Sequence, residues 1–153
     1  MIKVRSAQKE DIADLQTLNN EVFVDNVQYD EDLDLNWARS DKGKQYFNEL
    51  LNNADAFCII AEDNDKRVGY LAASPKEIDY RHSRYIEIQN MGVIPEYRSQ
   101  GVGKLLMDDF FKWARIKGYE KVFINAYIKN HRAISFYKNA GFDEIDISLE
   151  KKL

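Results

Sequence analysis

Apolar residues follow two rhythms along this chain. Ile2 and Val4 alternate with Lys3 and Arg5, and Ile12, Leu15, Leu18 and Val22 then recur at the spacing of one helical face, so a strand at 2–5 leads into a helix. Residues 25–34 show neither rhythm and carry Asp25, Asp30, Glu31, Asp32 and Asp34 without a base, which reads as an acidic loop. Tyr46, Phe47, Leu50 and Leu51 mark a second helix over about 41–52. The run Ala56-Phe57-Cys58-Ile59-Ile60-Ala61 reads as a buried strand, and the polar residues 62–66 turn it into a partner at 68–73, forming a hairpin that Pro75 is expected to end.

A further strand is predicted over 85–94, closed by Pro95, with Tyr85, Glu87, Gln89 and Met91 on one face and Ile86, Ile88 and Asn90 on the other. Val102, Leu105, Leu106, Phe110, Trp113 and Ala114 trace one face of a long helix that Gly118 terminates. Residues 121–126, with Val122-Phe123-Ile124, read as a short strand. Asn130 caps a last helix bearing Ala133, Ile134, Phe136, Tyr137 and Ala140, with Gly141 at its exit. Ile145, Ile147 and Leu149 alternate with Asp146, Ser148 and Glu150 in an expected final strand. The resulting order, β-α-α-β-β-β-α-β-α-β, predicts an α/β (α+β) domain with a mixed, mostly antiparallel central sheet covered by helices.

Length and composition restrict this picture further. The 153 residues, 44% of them apolar, suffice for one domain with a real core, so a single domain over 1–153 is expected. Charged residues make up 31% of the chain and the net charge is -4, a mixed surface that does not favour nucleic acid. No apolar run approaches membrane-spanning length and no signal-peptide core follows Met1, so a cytoplasmic location is expected. The single Cys58 reads as a packed thiol, and two histidines as far apart as His82 and His131 give no basis for a metal site.

The most informative segment is Val93-Ile94-Pro95-Glu96-Tyr97-Arg98-Ser99-Gln100-Gly101-Val102-Gly103-Lys104-Leu105-Leu106, a strand, a turn and a helix start joined by Arg-x-x-Gly-x-Gly. Unpaired amides at a helix start, aided by the helix dipole, attract an anion if no side chain blocks its approach, and Gly101 and Gly103 leave that approach open. A dinucleotide fingerprint would require Gly where Leu106 stands, and a Walker loop Ser or Thr where Leu105 stands, so both rivals fail. Taken alone, a Gly-x-Gly pair reads first as a tight strand-to-helix turn, and its context reverses that preference.

With Asn130-x-x-Ala133-x-x-Phe136-Tyr137-x-x-x-Gly141-Phe142 downstream, the C-terminal half resembles the GNAT acetyltransferase superfamily. The resemblance implies a sheet splayed between its fourth and fifth strands and acetyl-CoA as cosubstrate, with no metal. It implies that the turn Arg98, Ser99, Gln100, Gly101, Val102, Gly103 and Lys104 cradles pyrophosphate, the side chains of Arg98 and Lys104 adding charge. Met91, Gly92 and Val93 would bond the pantetheine arm along the strand edge, and Asn130 would contact that arm while also serving as a helix cap. Gly92 inside a good strand independently suggests a bulge or a close approach.

A primary ammonium must lose a proton before it attacks a thioester. Glu87 is the candidate base by its strand face and by the resemblance, against an exposed acid on a polar sheet face with a water chain doing the work. His82 is a weaker candidate for that role. Tyr137 stands where the family tyrosine protonates the departing sulfur, against an ordinary core aromatic, and a backbone N-H near Met91 to Val93 is the candidate oxyanion donor. The acceptor is expected under the acidic loop, with Tyr29, Asp30, Glu31 and Glu87 as candidate binding residues and Trp37 as a further aromatic wall. A polyamine, an aminoglycoside-like antibiotic or a peptide amine fits such a site, against a merely solvated acidic loop. A homodimer is compatible with this reading, and a coenzyme-A-binding sensor or a partner-binding module on the same fold remains its alternative.

Overall fold

In the computed structural model, which describes residues 1–153, five strands form one sheet in the order β1-β2-β3-β4-β5. They are β1 (Ile2–Ser6), β2 (Phe57–Asp63), β3 (Lys66–Lys76), β4 (Tyr85–Val93) and β5 (Lys121–Phe123). Successive pairs from β1 to β4 are antiparallel, and β5 returns parallel to β4. That return needs a crossover, which α3 (Val102–Ile116) supplies. Helices α1 (Ile12–Asn26) and α2 (Asp41–Asn52) precede β2, and α4 (His131–Asn139) follows β5.

Alternation along β2 and β3 sends side chains to two cores. Ile59, Ala61, Leu71 and Ala73, with Ile86 and Ile88 of β4, pack under Leu106, Met107 and Phe110 of α3. Cys58, Ile60, Tyr70 and Ala72 face the other way, onto Leu15 and Leu18 of α1 and Phe47 and Leu50 of α2. At the N-terminal edge Arg5 of β1 grips the buried Asp11 through two bonds of 2.7 and 2.8 Å, tying the sheet to the start of α1. The Arg5 guanidinium holds the Asp11 carboxyl below the usual carboxylate range.

Four expectations need correction. Pro75 does not end its strand: it lies inside β3, opposite Ile86. β2 pairs with β3 only as far as Ala73, so beyond that point β3 is an edge on one side, where a residue without N-H is tolerated. The predicted alternation across β4 breaks at Gln89, because Ala72 pairs with Asn90 and Ala73 with Ile88, leaving Gln89 as the extra residue of a β-bulge. Past the bulge the phase inverts, and Asn90 joins the face of Glu87 while Met91 joins the α3 core. β5 is shorter than predicted, three residues rather than six. The expected final strand does not form: residues 143–153 are exposed and belong to no ladder.

Cys58 behaves as expected of a packed thiol, since burial pushes its pKa up to about 12 from 9.0. Below pH 9 both folded and unfolded chains keep this proton. Between pH 9 and 12 the unfolded chain loses it first, so stability falls by about 1.4 kcal/mol per pH unit on account of this one group. Cys58→Ala should therefore show a shallower alkaline loss in urea unfolding, smaller by about 2 kcal/mol between pH 8 and roughly pH 10.5. Parallel slopes for the two proteins would refute the burial of this thiol as a neutral group.

Candidate active site

The site begins where β5 stops. β5 meets β4 only at Tyr85, Ile86 and Glu87, so from Ile88 onward β4 is bonded to β3 alone and its other edge is open. Met91, Gly92 and Val93 lie on that stretch. Gly92 is there for close approach and not for the bulge, since a Cβ would sit 2.6 Å from Cγ2 of Val22 on α1. The Val93 carbonyl already accepts from Nε of Arg98 at 2.8 Å.

After Val93, Pro95–Tyr97 make one 3-10 turn and the backbone passes through two left-handed residues, Ser99 at φ 59° and Gly101 at φ 83°. Leu105 is the first α3 amide to bond backward, to the Gly101 carbonyl at 3.0 Å, and no side chain caps the helix. The amides of Val102, Gly103 and Lys104 are thus free at the positive end of the dipole, beside the open β4 edge. Gly101 is required by its backbone conformation, since a Cβ there would meet nothing within 4 Å. Gly103 makes room for the Phe136 ring, 3.2 Å from a Cβ at that position. Within the protein the two glycines thus differ in what a side chain would meet.

The two side-chain cations are engaged within the protein. Arg98 turns inward to the carboxylate of Asp25 on α1, and Lys104 pairs with Asp108 one turn along α3. Gln100 bonds back to the Glu96 carbonyl at 2.7 Å, which braces the turn, and Ser99 is exposed. On the far side Asn130 accepts from the Ala133 amide at 3.1 Å and caps α4. Tyr137, one residue after Phe136, packs edge-on between Phe136 and Phe142 at 5.5 and 5.8 Å, and burial pushes its phenol up to about 12.

Glu87 lies on the opposite sheet face from Ile86, as expected, where its carboxylate accepts from Nζ of Lys76 at 2.8 Å. Around it the bulge assembles a polar network absent from the sequence reading. Tyr46 of α2 donates to Gln89 and accepts from Asn90 at 3.0 Å. Asn19 of α1 donates to the buried hydroxyl of Tyr70 at 2.9 Å, while its own Oδ1 is buried without a partner. Burial raises the Tyr46 phenol to about 12 and the Tyr70 phenol well above its usual value. One signal was available: Asn19 falls on the Leu15, Leu18, Val22 stripe of α1, a polar residue at a core position.

In the acidic segment Asp30 accepts from the Tyr127 hydroxyl at 2.7 Å, and Tyr29 stacks on the Tyr127 ring at 6.0 Å. This closes the segment over the chain that follows β5. Glu31 is exposed, and Trp37 packs against Phe23 and Tyr46. His82 and His131 are both exposed. No cluster of His, Cys, Asp and Glu with metal-binding proximity occurs, and no helix is long and apolar enough to cross a membrane.

The model of the family described as Acetyltransferase (GNAT) family matches residues 15–142. An uncharacterized N-acetyltransferase of Methanocaldococcus jannaschii is 30% identical over 112 residues, covering 72% of this chain. The chain spans about half the length of that relative, 47% of it. Among solved structures, a tetramutant of a Bacillus halodurans protein superposes with a TM-score of 0.86 at 17% identity, covering 99% of both chains. The aminoglycoside N-acetyltransferase AAC(6')-Iy, in complex with a bisubstrate analog joining CoA to acetylneamine, superposes with a TM-score of 0.76 at 17% identity, covering 100% of this chain and 98% of its own. These likenesses establish the fold, including the mixed sheet and its helical layers.

The two glycines should separate experimentally. Gly101→Ala forces a side chain into the left-handed region and should lower stability by about 1–2 kcal/mol without disturbing α4. Gly103→Ala should instead loosen the seat of Phe136 and speed amide exchange across 131–139. Identical exchange in α4 for both variants would contradict this division.

Proposed function

The chain belongs to the acetyltransferase (GNAT) family, and on that footing we propose that it is an N-acetyltransferase that transfers the acetyl group of acetyl-CoA directly to a primary amine. The observation that carries this reading is the row of uncapped amides at Val102, Gly103 and Lys104 beside an open β4 edge, with Tyr137 packed across from it. The turn offers an anion three donors and the dipole of a 15-residue helix, which suits a diphosphate. The β4 edge at Met91 to Val93 offers backbone groups to an amide-bearing arm, and Asn130 stands at the start of α4 to meet it.

Bound there, acetyl-CoA supplies a thioester carbonyl to which the acceptor nitrogen adds, the N–C bond forming as the C–S bond breaks and sulfur leaves with its electron pair. Tyr137 gives that sulfur its phenolic proton, and a β4 amide donates to the carbonyl oxygen. The proton released by the amine passes to Glu87, which must first share or release Lys76, or through water to the same carboxylate. Solvent then returns a proton to Tyr137 and takes one from Glu87, so the protein ends unchanged.

A cationic acceptor fits the other wall. Asp25 and Asp30 are engaged with Arg98 and Tyr127, so Glu31, Asp32 and Asp34 are the carboxylates left facing solvent. That supports a polyamine, an aminoglycoside-like amine or a lysine-bearing peptide as the acceptor class, and the AAC(6')-Iy likeness supports the small-molecule members of it.

Incubation with acetyl-CoA and a panel of such amines should release free thiol in step with a 42 Da gain on the acceptor (about one acetyl group). Cofactor binding without turnover on any amine would favour a sensor. Tyr137→Phe should lower turnover by roughly 100-fold with cofactor affinity retained. Because its phenol ionises only near 12, the wild-type to Tyr137→Phe rate ratio should stay flat to about pH 10. An unchanged rate under chemistry-limited conditions would remove its role as acid.

A further inference from the structure

The polar network around the β4 bulge has a direction. Both side-chain N-H groups of Asn19 are directed within the protein, to the Tyr70 hydroxyl at 2.9 Å and to Oδ1 of Asn90 at 3.5 Å. That orients the Asn90 amide, whose Nδ2 donates to the Tyr46 hydroxyl at 3.0 Å. A phenol has one proton, so the Tyr46 hydroxyl, already accepting from Asn90, sends its own to Oε1 of Gln89. The chain of donors therefore runs from the core outward and ends on an exposed residue. Nε2 of Gln89, on the side of its amide remote from Tyr46, bonds nothing within the protein.

Beside it the same sheet face holds a second donor. Lys76 is registered against Tyr85, and Ser74 against Glu87, so the Lys76 and Glu87 side chains rise from one face. Nζ of Lys76 reaches the Glu87 carboxylate at 2.8 Å and lies 4.4 Å from the centre of the Phe123 ring. Burial raises the Tyr46 phenol, and the charge of Glu87 adds to the rise, so the network and the ion pair adjoin.

The side chains of Lys76 and Glu87 are 32% and 25% exposed, and each relies on the other for its counter-charge. An acceptor ammonium that takes Glu87 displaces Lys76 and leaves it facing a like charge. A plain diamine offers Lys76 nothing in return. An acceptor with a carboxylate next to its amine restores both pairings, because its oxygens accept from Nζ of Lys76 and Nε2 of Gln89.

Resting on the amine-acetylating reading above, we propose that Gln89 and Lys76 select the acceptor, and that it is an α-amino acid acetylated on its α-nitrogen. Glu87 takes the α-ammonium while Gln89 and Lys76 hold the carboxylate. A basic amino acid also brings a second cation for the exposed Glu31, Asp32 and Asp34. In the transfer the new N–C bond replaces the C–S bond and the α-ammonium gives up two protons. One is balanced by the proton that sulfur gains, the other is released to solvent, and the carboxylate is unchanged.

Lysine and cadaverine are matched probes, since the second is the first without its carboxylate. With the full chain and saturating acetyl-CoA, kcat/KM for lysine should exceed that for cadaverine by about tenfold or more, mostly through KM. Fragmentation mass spectrometry should place the acetyl group on the α-nitrogen. Lys76→Met removes one donor, and Gln89→Glu keeps an oxygen for Tyr46 while replacing the free N-H groups by a second oxygen. Both variants, checked as folded by circular dichroism, should bring the lysine-to-cadaverine ratio down toward one. Cadaverine turned over as well as lysine would overturn the proposal and leave the acetyltransferase standing. So would acetylation of the ε-nitrogen, or a lysine preference indifferent to both variants. Transfer to neither probe would overturn it as well, and the wider amine panel then decides whether the acetyltransferase reading falls with it.

Discussion

The architecture of the candidate site depends on a ladder that stops after three pairs. Had β5 run on beside β4, the amides and carbonyls past Glu87 would be consumed within the sheet, as buried backbone groups must be. Because it stops, β4 offers an unpaired edge that ends at a turn whose helix also has unpaired amides. Two separate sources of unsatisfied backbone, one from a sheet and one from a helix, therefore converge on one cleft. No catalytic loop is needed to create it, and the elements on either side are held by well-packed cores.

The bulge at Gln89 supplies the other wall. One extra residue turns Asn90 toward α1 and α2, where Tyr46, Asn19 and Tyr70 form a polar layer against an otherwise apolar core. Such a layer is costly unless satisfied, and it is nearly so: the exception among these residues is the buried Oδ1 of Asn19. That atom can take a water or a ligand N-H. The network also connects the rigid sheet to α2, so that the N-terminal helices are positioned by hydrogen bonds as well as by Phe47 and Leu50.

Much of this was legible from the chain itself, for identifiable reasons. Helices α1 to α4 follow from apolar periodicity, each packing one face on the sheet, and the central strands β2 and β3 from apolar runs, because both their faces are covered. Gly118 and Gly141 end their helices where predicted, both left-handed, and Asn130 caps where its side chain predicts. The bulge was not legible, since a single inserted residue leaves no compositional trace and only the pairing of Ala72 with Asn90 reveals it. Arg98 lies in the turn where it was expected, but its bond to Asp25, a residue 73 positions earlier, was not legible because no local pattern connects the two. Pro75 misled because the rule against proline applies to strands paired on both sides. Ile145 to Leu149 misled in the opposite way: alternation reports what a segment can pair with, and here the segment joins no ladder.

Asp25 and Arg98 form the strap that joins the two halves of the cleft. Asp30 with Tyr127 is a second tie between an acyl-carrier side proposed from Met91 to Tyr137 and an amine side proposed largely from α1, α2 and the acidic segment between them. On the proposed assignment, selection or a protein engineer has two dials on one scaffold, and the N-terminal third is where the admitted nucleophile would be retuned. The strap is where the dials meet, so exchanges at Asp25 would be felt on both sides of the cleft at once.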